Sequence, residues 1–306
     1  MAMRVAIQMD APSRLDPAGD STVALAIEAQ RRGHEMWWYE AADLSYGGGA
    51  LQCRARRLTV REDALQWYEE GEEETLALDS VDVVLMRQDP PFDMAYLSAT
   101  YLLERLPPAV RVINNPAYVR NHPEKTAILD FPDVIPPTLI SSDLQAIRAF
   151  QAEQGRIVVK PLYGFGGHSV FVLAPGDTNL QTLIEQFRQH SAEPLMVQAF
   201  LPEVKNKDVR VLLMNGKVSA ALGRIPAEGS IRANMRVGGA PVAVTLNDTQ
   251  TAICERVGAR LAQHGVLFAG LDLIGDYLTE INITSPTGIV AAQRLYPGCN
   301  PAGDFW

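Results

Sequence analysis

The first third of the chain alternates short apolar runs with amphipathic stretches. The apolar runs 4–9, 34–40, 81–87 and 110–114 predict buried strands, and the stretches 21–32 and 96–105 predict helices. Gly33 follows the first of these helices at the position where glycine commonly ends one. The order strand, helix, strand predicts β-α-β units and a parallel sheet. We therefore expect an α/β domain over residues 1–122.

The pattern changes after Pro123. Helices are predicted at 124–131 and 144–154 and a strand at 157–160, with prolines between them. From about residue 196, strands with polar turns dominate until a predicted helix at 248–264. We expect a smaller domain at 123–195 and an α+β domain at 196–306. The stretch 52–78 is charged and partly acidic, and its acidic run 69–74 is interpreted as a solvated surface segment.

Polar side chains interrupt an apolar run near the C-terminus, at Asp272, Glu280 and Asn282. Oxygen ligands of this kind suit Mg²⁺, and carboxylates among Leu and Ile are costly to bury without compensation. The run predicts a hairpin in which Asp272 pairs with Glu280. That pairing requires an odd-length loop or a bulge, because a clean two-residue loop would put the two on opposite faces. A hairpin whose polar residues merely face solvent remains the alternative.

A lysine at the end of an apolar strand, Lys160, precedes a loop that contains Gly164, Gly166 and Gly167. Glycines let backbone N–H groups approach phosphate oxygens, and the lysine adds a positive charge. The spacing matches neither the P-loop nor the dinucleotide-binding fingerprint. A phosphate loop and a merely flexible hairpin are both open at this point.

Arg210 and Arg224 flank apolar runs, so each lies at a strand end where a guanidinium can meet phosphate or carboxylate. The glycine-rich segment 225–241 between later strands suits a mobile lid, with a disordered loop as the alternative. Arg87 closes an earlier buried strand and is a candidate carboxylate clamp. Asp89 is either a second group of that site or an ordinary turn cap.

Composition narrows the class of protein. The 306-residue chain has a net charge of −9 and three cysteines, which lie far apart. An acidic chain does not suit general nucleic-acid binding, and the cysteine spacing does not suit a disulfide framework or a zinc cluster. No run approaches the ~20 apolar residues of a membrane span, and the N-terminus does not look like a signal peptide. We expect a cytoplasmic protein without nucleic-acid or membrane partners.

Several motifs, taken in order, resemble those of the bacterial glutathione synthetases, members of the ATP-grasp superfamily of carboxylate–amine ligases. They are Met86-Arg-Gln-Asp-Pro-Pro-Phe-Asp93, Lys160-Pro-Leu-Tyr-Gly-Phe-Gly-Gly167, Asp208-Val-Arg-Val211, Arg224-Ile-Pro226, Arg232 with Asn234, Gly238-Gly239, and the run from Gly270 to Thr287. The resemblance implies an ATP-grasp fold that follows a Rossmann-like, pre-ATP-grasp domain. It also implies glutathione synthesis from γ-glutamylcysteine and glycine with ATP and Mg²⁺ (Mn²⁺ as an alternative), in a homo-oligomer, by family a tetramer.

The resemblance also implies roles for residues. The metal ligands would be Asp272, Glu280 and Asn282, and the catalytic residues Arg210 and Arg224. The nucleotide would contact Lys125, Lys160, Gly164, Gly166, Gly167, Gln198, Phe200, Leu201 and Asp208. The substrates would contact Arg87, Asp89, Arg232, Asn234, Gly238, Gly239, Ser285 and Thr287.

Two further hypotheses stay open. One is an ATP-grasp ligase that joins a different carboxylate and amine, because superfamily members share the phosphate machinery. The other is a catalytically silent nucleotide-binding module, which Tyr163 and Ala199 suggest because the resembled family usually has polar or acidic residues there. We also expect the chain to end short of the helix that follows Tyr296 in that family.

Overall fold

The computed structural model describes residues 2–62, 66–164, 169–206, 208–227 and 238–306. Its α-helices are α1 (Ser21–Arg31), α2 (Met94–Leu103), α3 (Pro116–Asn121), α4 (Leu144–Gln154), α5 (Asn179–His190), α6 (Asp248–Gln263), α7 (Ile289–Leu295) and α8 (Pro301–Phe305). Short 3₁₀ helices lie at Pro12–Arg14, Ala41–Asp43, Leu78–Ser80, Ala127–Asp130 and Pro202–Lys205. None of the helices in these described ranges is long and apolar enough to cross a lipid bilayer.

The N-terminal sheet contains β1 (Arg4–Gln8), β2 (Glu35–Tyr39), β3 (Leu44–Gly47), β4 (Ala50–Val60), β5 (Tyr68–Ala77), β6 (Val83–Met86) and β7 (Arg111–Ile113). Strands β2, β1, β6 and β7 are parallel and adjacent, as the β-α-β pattern predicts. The helix α1 connects β1 to β2, and the side chain of Asp20 caps its first turn. The carboxyl ends of β1 and β6 therefore lie side by side, next to the start of α1.

Residues 52–78 include two strands that the sequence pattern did not predict, and the acidic run 69–74 lies exposed in the second of them. These residues form β4 and β5, which pair antiparallel and extend the sheet beyond β2. Leu51, Cys53 and Ala55 are buried in strict alternation with exposed neighbours, so the strand period was present in the sequence. Most of β5 is exposed, in agreement with its many glutamates.

A second, antiparallel sheet has the order β10-β9-β11-β8. Its strands are β8 (Thr138–Ser141), β9 (Ile157–Pro161), β10 (Phe171–Leu173) and β11 (Leu195–Ala199). Ile147 of α4 and Ile184 of α5 pack against this sheet in a hydrophobic cluster separate from the rest of the core. Because it has its own core, this sheet with α4 and α5 can keep its internal packing if it changes position.

The third sheet is also antiparallel, with the order β14-β13-β12-β15-β16. Its strands are β12 (Asp208–Met214), β13 (Lys217–Ile225), β14 (Ala240–Ala243), β15 (Phe268–Ile274) and β16 (Tyr277–Asn282). Every residue of β12, the central strand, is buried, including Asp208 and Arg210. The ends of the predicted lid, Ile225 and residues 240–241, belong to β13 and β14 instead.

One buried amide joins the N-terminal sheet to the third sheet. Asn114 donates from Nδ2 to the carbonyls of Phe268 (2.7 Å) and Ile283 (2.8 Å). Its Oδ1 accepts from the amides of Leu267 and Phe268. Asn114 thus bonds to four backbone groups at once, and buried polar groups left without a partner are costly. The carboxyl ends of β1 and β6 are thereby held beside β15.

Two predictions of helical structure need correction. The predicted helix at 124–131 is only a 3₁₀ turn at Ala127–Asp130, because prolines precede and follow it closely. A helix does follow Tyr296, namely α8, whose cap is the side chain of Asn300. The indole of Trp306 donates to the carbonyl of Leu25 in α1 (2.9 Å), so the segment packs on the N-terminal domain.

The packing of α6 on the third sheet leads to a stability prediction. A Cβ atom at Gly258 would lie 2.1 Å from the carbonyl oxygen of Gly216, in the turn between β12 and β13. Helix propensity alone favours Gly258→Ala by about 1 kcal/mol, whereas the clash with backbone costs about 1–3 kcal/mol. We expect the clash to dominate, so that urea titration gives a lower free energy of unfolding. Glu255→Ala, an exposed change on the same helix, is the control, and a stabilised Gly258→Ala would contradict this packing.

Candidate active site

The predicted oxygen-bearing hairpin forms with its polar residues on one face. Asp272 of β15 pairs directly with Glu280 of β16, and Gly270 pairs with Asn282. The loop is Gly275-Asp276, and the register shifts between Asp272 and Leu273. The bulge is therefore the device that brings the two carboxylates to the same face, one of the two geometries that the sequence allowed. Asn282 Nδ2 lies 3.5 Å from Asp272 Oδ2, so the three groups converge.

Two arginines surround Asp272. Arg210 donates to both of its carboxylate oxygens, from Nε at 2.5 Å and from Nη2 at 3.0 Å. Arg224 Nη2 lies 3.2 Å from Asp272 Oδ1. Arg224 also donates to both oxygens of Asp208, from Nε at 2.6 Å and from Nη2 at 2.8 Å. All four side chains are buried. The result is a run of alternating charges across β13, β12 and β15, with the guanidinium groups held in fixed positions.

These contacts change the acidity of Asp272. Burial raises the pKa of its carboxyl, but Arg210 and Arg224 outweigh burial and lower the pKa from 3.8 to about 2. The unfolded chain therefore binds a proton at this position at a higher pH than the folded protein does. The contribution of Asp272 to stability is present above pH 3.8 and is lost as the pH falls towards 2.

This shift predicts a pH-dependent difference between two proteins. The stability advantage of wild type over Asp272→Asn should shrink by about 2 kcal/mol between pH 4 and pH 2. Urea titrations of both proteins across this range measure the difference, in which the carboxyl groups that do not interact with Asp272 cancel. A gap that stays constant with pH would contradict the low pKa.

Glu280 faces two lysines from a different part of the chain. Its Oε1 lies 3.3 Å from Lys160 Nζ, at the end of β9, and 3.9 Å from Lys125 Nζ. Both lysines are buried, and burial lowers the pKa of Lys160 while Glu280 raises it. Lys125 also donates to the carbonyl of Gly164 at the start of the glycine-rich loop. Lys160 of the second sheet and Lys125, from the segment after α3, thus present two ammonium groups to the oxygen-bearing hairpin of the third sheet.

A second set of side chains lies at the carboxyl end of β6. Arg87 is buried, and it donates to Thr22 Oγ1 and to the carbonyl of Pro286, both at 3.0 Å. Ser285 donates to Asp89 Oδ1 at 2.8 Å. The segment 285–287 therefore borders both sets, since Arg210 Nη1 donates to the carbonyl of Thr287 (3.2 Å).

Sequence reasoning did not single out Thr22 or Glu124. The carboxyl of Glu124 accepts a hydrogen bond from Thr284 Oγ1 (2.6 Å), and burial raises its pKa. Glu124 also experiences the charges of Glu280 and Arg210, so it lies between the two sets of side chains. Glu124 directly precedes Lys125, but in sequence it looked like the first residue of an ordinary helix.

The remaining predicted residues lie apart from this centre or outside the described ranges. Gln198 is buried at the end of β11 and donates to Thr138 Oγ1 (3.0 Å), and Phe200 and Leu201 follow it. Gly238 and Gly239 directly precede β14. Four predicted residues lie outside the described ranges: Gly166, Gly167, Arg232 and Asn234.

The donor set fits a hard divalent cation. Within the described ranges no three His, Cys, Asp or Glu side chains gather as a metal site, so the candidate consists of two carboxylates and an amide. Oxygen donors of this kind suit Mg²⁺. Glu280 keeps 22% of its side chain exposed, which leaves it accessible to an ion.

Comparisons with known proteins agree with this geometry. The family model for the prokaryotic glutathione synthetase N-terminal domain matches residues 3–120, and the model for its ATP-grasp domain matches residues 124–297. The glutathione synthetase of Rhodopseudomonas palustris is 46% identical over 306 residues, which cover 100% of this chain and 97% of the relative. That of Brucella melitensis is also 46% identical, with 100% and 98% covered.

Solved structures with low sequence identity share the fold. D-cycloserine synthetase DcsG superposes with a TM-score of 0.67 at 16% identity, over 99% of this chain and 97% of the other. The ATP-grasp ligase PsnB, complexed with minimal precursor, gives 0.66 at 19% identity, with 100% and 98% covered. The predicted ATP-grasp fold is confirmed. Matched by both family models and by full-length relatives, the chain belongs to the prokaryotic glutathione synthetase family.

Proposed function

We propose that the chain joins γ-glutamylcysteine to glycine with ATP and releases glutathione, ADP and phosphate. In the site, one arrangement of charged side chains supports the proposal. Four buried cations, Lys125, Lys160, Arg210 and Arg224, surround the paired carboxylates Asp272 and Glu280. Buried cations beside candidate metal ligands suit the polyphosphate of a nucleotide. Full-length identity to named glutathione synthetases supports the choice of substrates.

The side chains of the site have different proposed roles, which depend on where they lie. Asp272, Glu280 and Asn282 would hold Mg²⁺, or Mn²⁺ as an alternative, and the ion would neutralise charge on the terminal phosphates of ATP. Lys160, from the second sheet, and Lys125, from the segment after α3, would bind the phosphates. The nucleotide base would lie against the end of β11 and the residues after it, at Gln198, Phe200 and Leu201, and the nucleotide would also contact Asp208.

Arg87 and its neighbours receive the acid substrate. The guanidinium of Arg87 binds a carboxylate of γ-glutamylcysteine, and Thr22 and the carbonyl of Pro286 fix its orientation. Asp89 and Ser285 would contact the acid substrate at the other end of this pocket. Thr287 would border the site of the glycine amine. Family resemblance alone suggests four further substrate contacts, at Arg232, Asn234, Gly238 and Gly239.

The reaction needs alignment and charge compensation more than a nucleophilic side chain. A carboxylate oxygen of the cysteinyl group attacks the γ-phosphorus, the bond to ADP breaks, and an acyl phosphate forms. Arg210 and Arg224 stabilise the negative charge on the transferring phosphoryl group. The glycine amine then attacks the acyl carbon, loses a proton, and expels phosphate. Water must be excluded meanwhile, because it would hydrolyse the acyl phosphate.

An ADP-release assay with γ-glutamylcysteine, with and without glycine, tests this function. We expect rapid ADP release only when both substrates are present, together with one glutathione for each ADP, measured by mass spectrometry. Other acid and amine pairs are the control. Turnover confined to such a pair would favour a different ligase, and ATP binding without turnover of any pair would favour a silent module. The full-length family match favours neither alternative.

Two wider expectations rest on the family alone. A homotetramer is expected, and analytical ultracentrifugation of the purified chain measures it directly. A cytoplasmic location is expected as well, and fractionation of the source cells tests it.

A further inference from the structure

An aromatic contact joins the start of the glycine-rich loop to the acid pocket. Tyr163 directly precedes Gly164, and its ring stacks on that of Phe92, with centroids 6.1 Å apart and planes inclined by 21°. Phe92 lies in the segment that begins with Arg87 and Asp89. The two rings come from different sheets, since Tyr163 follows β9 and Phe92 follows β6. The contact is thus a direct link between the candidate phosphate site and the candidate acid site.

The Phe92 side of the contact is held firmly. Its ring packs on the buried ring of Tyr96, with centroids 5.1 Å apart, and on the hydrophobic core. Asp93 accepts a hydrogen bond from the amide of Tyr96 and so caps α2 (2.9 Å). Pro90 and Pro91 restrict the backbone just before Phe92. Phe92 therefore presents a fixed surface, not one that adapts to Tyr163.

The Tyr163 side is less constrained. Its side chain is 42% exposed, whereas the next residue, Gly164, is closely surrounded. The carbonyl of Gly164 accepts a hydrogen bond from Lys125, and a Cβ atom there would lie 2.7 Å from Pro161 Cγ. A movement of Tyr163 would therefore also move the carbonyl that holds Lys125.

We propose that Tyr163 is a positioning residue that sets the start of the phosphate-binding loop by stacking on Phe92. The proposal rests on the function proposed above. The acid pocket and the phosphate loop then share one contact, so the loop is held in place next to the bound acid. An aromatic pair of this kind contributes about two- to tenfold in an equilibrium constant, or about 0.5–1.5 kcal/mol. Its ring matters for this role and its hydroxyl does not.

Kinetics of Tyr163→Ala and Tyr163→Phe test the role. We expect Tyr163→Ala to raise KM for ATP about two- to tenfold and to release more than one ADP per glutathione, because Gly164 and its partner Lys125 are then held less firmly beside an acyl phosphate that water can hydrolyse. Tyr163→Phe keeps the ring and should behave like wild type in both respects. Tyr101→Ala, which removes a similarly exposed tyrosine from α2, is the control and should change neither quantity.

A double-mutant cycle separates this contact from a general loss of structure. Phe92→Leu should have the same two effects, and adding Tyr163→Ala to it should have little further effect. Thermal denaturation verifies that each variant is folded. If Tyr163→Ala does not fold, the kinetics of Phe92→Leu test the proposal in its place. Independent, additive effects would overturn the proposal, as would a wild-type KM and a one-to-one ratio in Tyr163→Ala.

The binding of a nucleotide that cannot react tests the role of Tyr163 separately from the proposed function. Calorimetry with a non-hydrolysable ATP analogue should show weaker binding to Tyr163→Ala and unchanged binding to Tyr163→Phe. This result does not depend on which acid and amine the chain joins. If wild type forms no glutathione, the proposed function fails while the calorimetric comparison still decides the role of Tyr163. Equal affinities of all three proteins would overturn that role.

Discussion

An Asp272→Asn variant is expected to lose about 3–5 kcal/mol of unfolding free energy and at least about 100-fold in turnover. The substitution preserves the shape of the side chain but removes the charge that Arg210 and Arg224 share. Arg224 keeps Asp208 as a hydrogen-bond partner, whereas among the described residues Arg210 keeps only the carbonyl of Thr287. A buried guanidinium that has lost its directly bonded carboxylate is the source of the cost. Urea titration at pH 7 measures the stability, and ADP release measures the turnover.

Asp133→Asn is the matched control for this prediction. Asp133 also receives two hydrogen bonds from one arginine, Arg256, but the pair lies at the surface. Water and salt screen exposed pairs, so neither stability nor turnover should change appreciably. Equal losses of stability and turnover in Asp272→Asn and Asp133→Asn would show that burial is not the reason why the ion pairs of Asp272 matter.

A Glu280→Gln variant is expected to lose turnover about 1,000-fold while it remains folded. Glu280 is both a candidate metal ligand and the partner of Lys125 and Lys160. Its removal weakens the metal site and takes away the carboxylate that pairs with two buried ammonium groups. Because burial already lowers the pKa of Lys160, the loss of Glu280 should lower that pKa further. Turnover measured against Mg²⁺ concentration should show a weaker apparent affinity for the ion.

The dependence of turnover on pH tests the expected fall in the pKa of Lys160. Lys160 would lose its proton at lower pH in the variant, so the alkaline limb of the remaining activity should move to lower pH. Glu203→Gln is the control, since Glu203 lies on an exposed 3₁₀ turn beside Gly275 of the same hairpin. Unchanged Mg²⁺ dependence in Glu280→Gln would remove Glu280 from the metal site.

Local pattern was enough to predict part of the site. The two-residue spacing of Glu280 and Asn282 indicated a shared face, and strand parity required a bulge or an odd loop to bring Asp272 to that face. The bulge is present. This succeeded because side chains alternate strictly along a strand, so the face of a residue depends only on its place in the local register.

Other features escaped local pattern. Glu124 looked like a helix residue, and its role as the buried partner of Thr284 depends on a contact across 160 residues of chain. Asn114 likewise bonds to backbone groups more than 150 residues away. The strand β5 was missed because exposed glutamates hid it, although its partner β4 has a clear alternation.

The amino-acid sequence by itself determined the parallel order of the first strands, the oxygen-bearing face of the hairpin, and the glycine and lysine chemistry of the loop after β9. These features depend on neighbours within a few residues, where backbone geometry leaves few choices. Only the tertiary structure decided which charges meet: Arg210 and Arg224 with Asp272, Lys125 and Lys160 with Glu280, and Tyr163 with Phe92. Those pairings depend on how three sheets pack together, because an ion pair or a ring contact forms only between groups that the fold brings within a few ångströms.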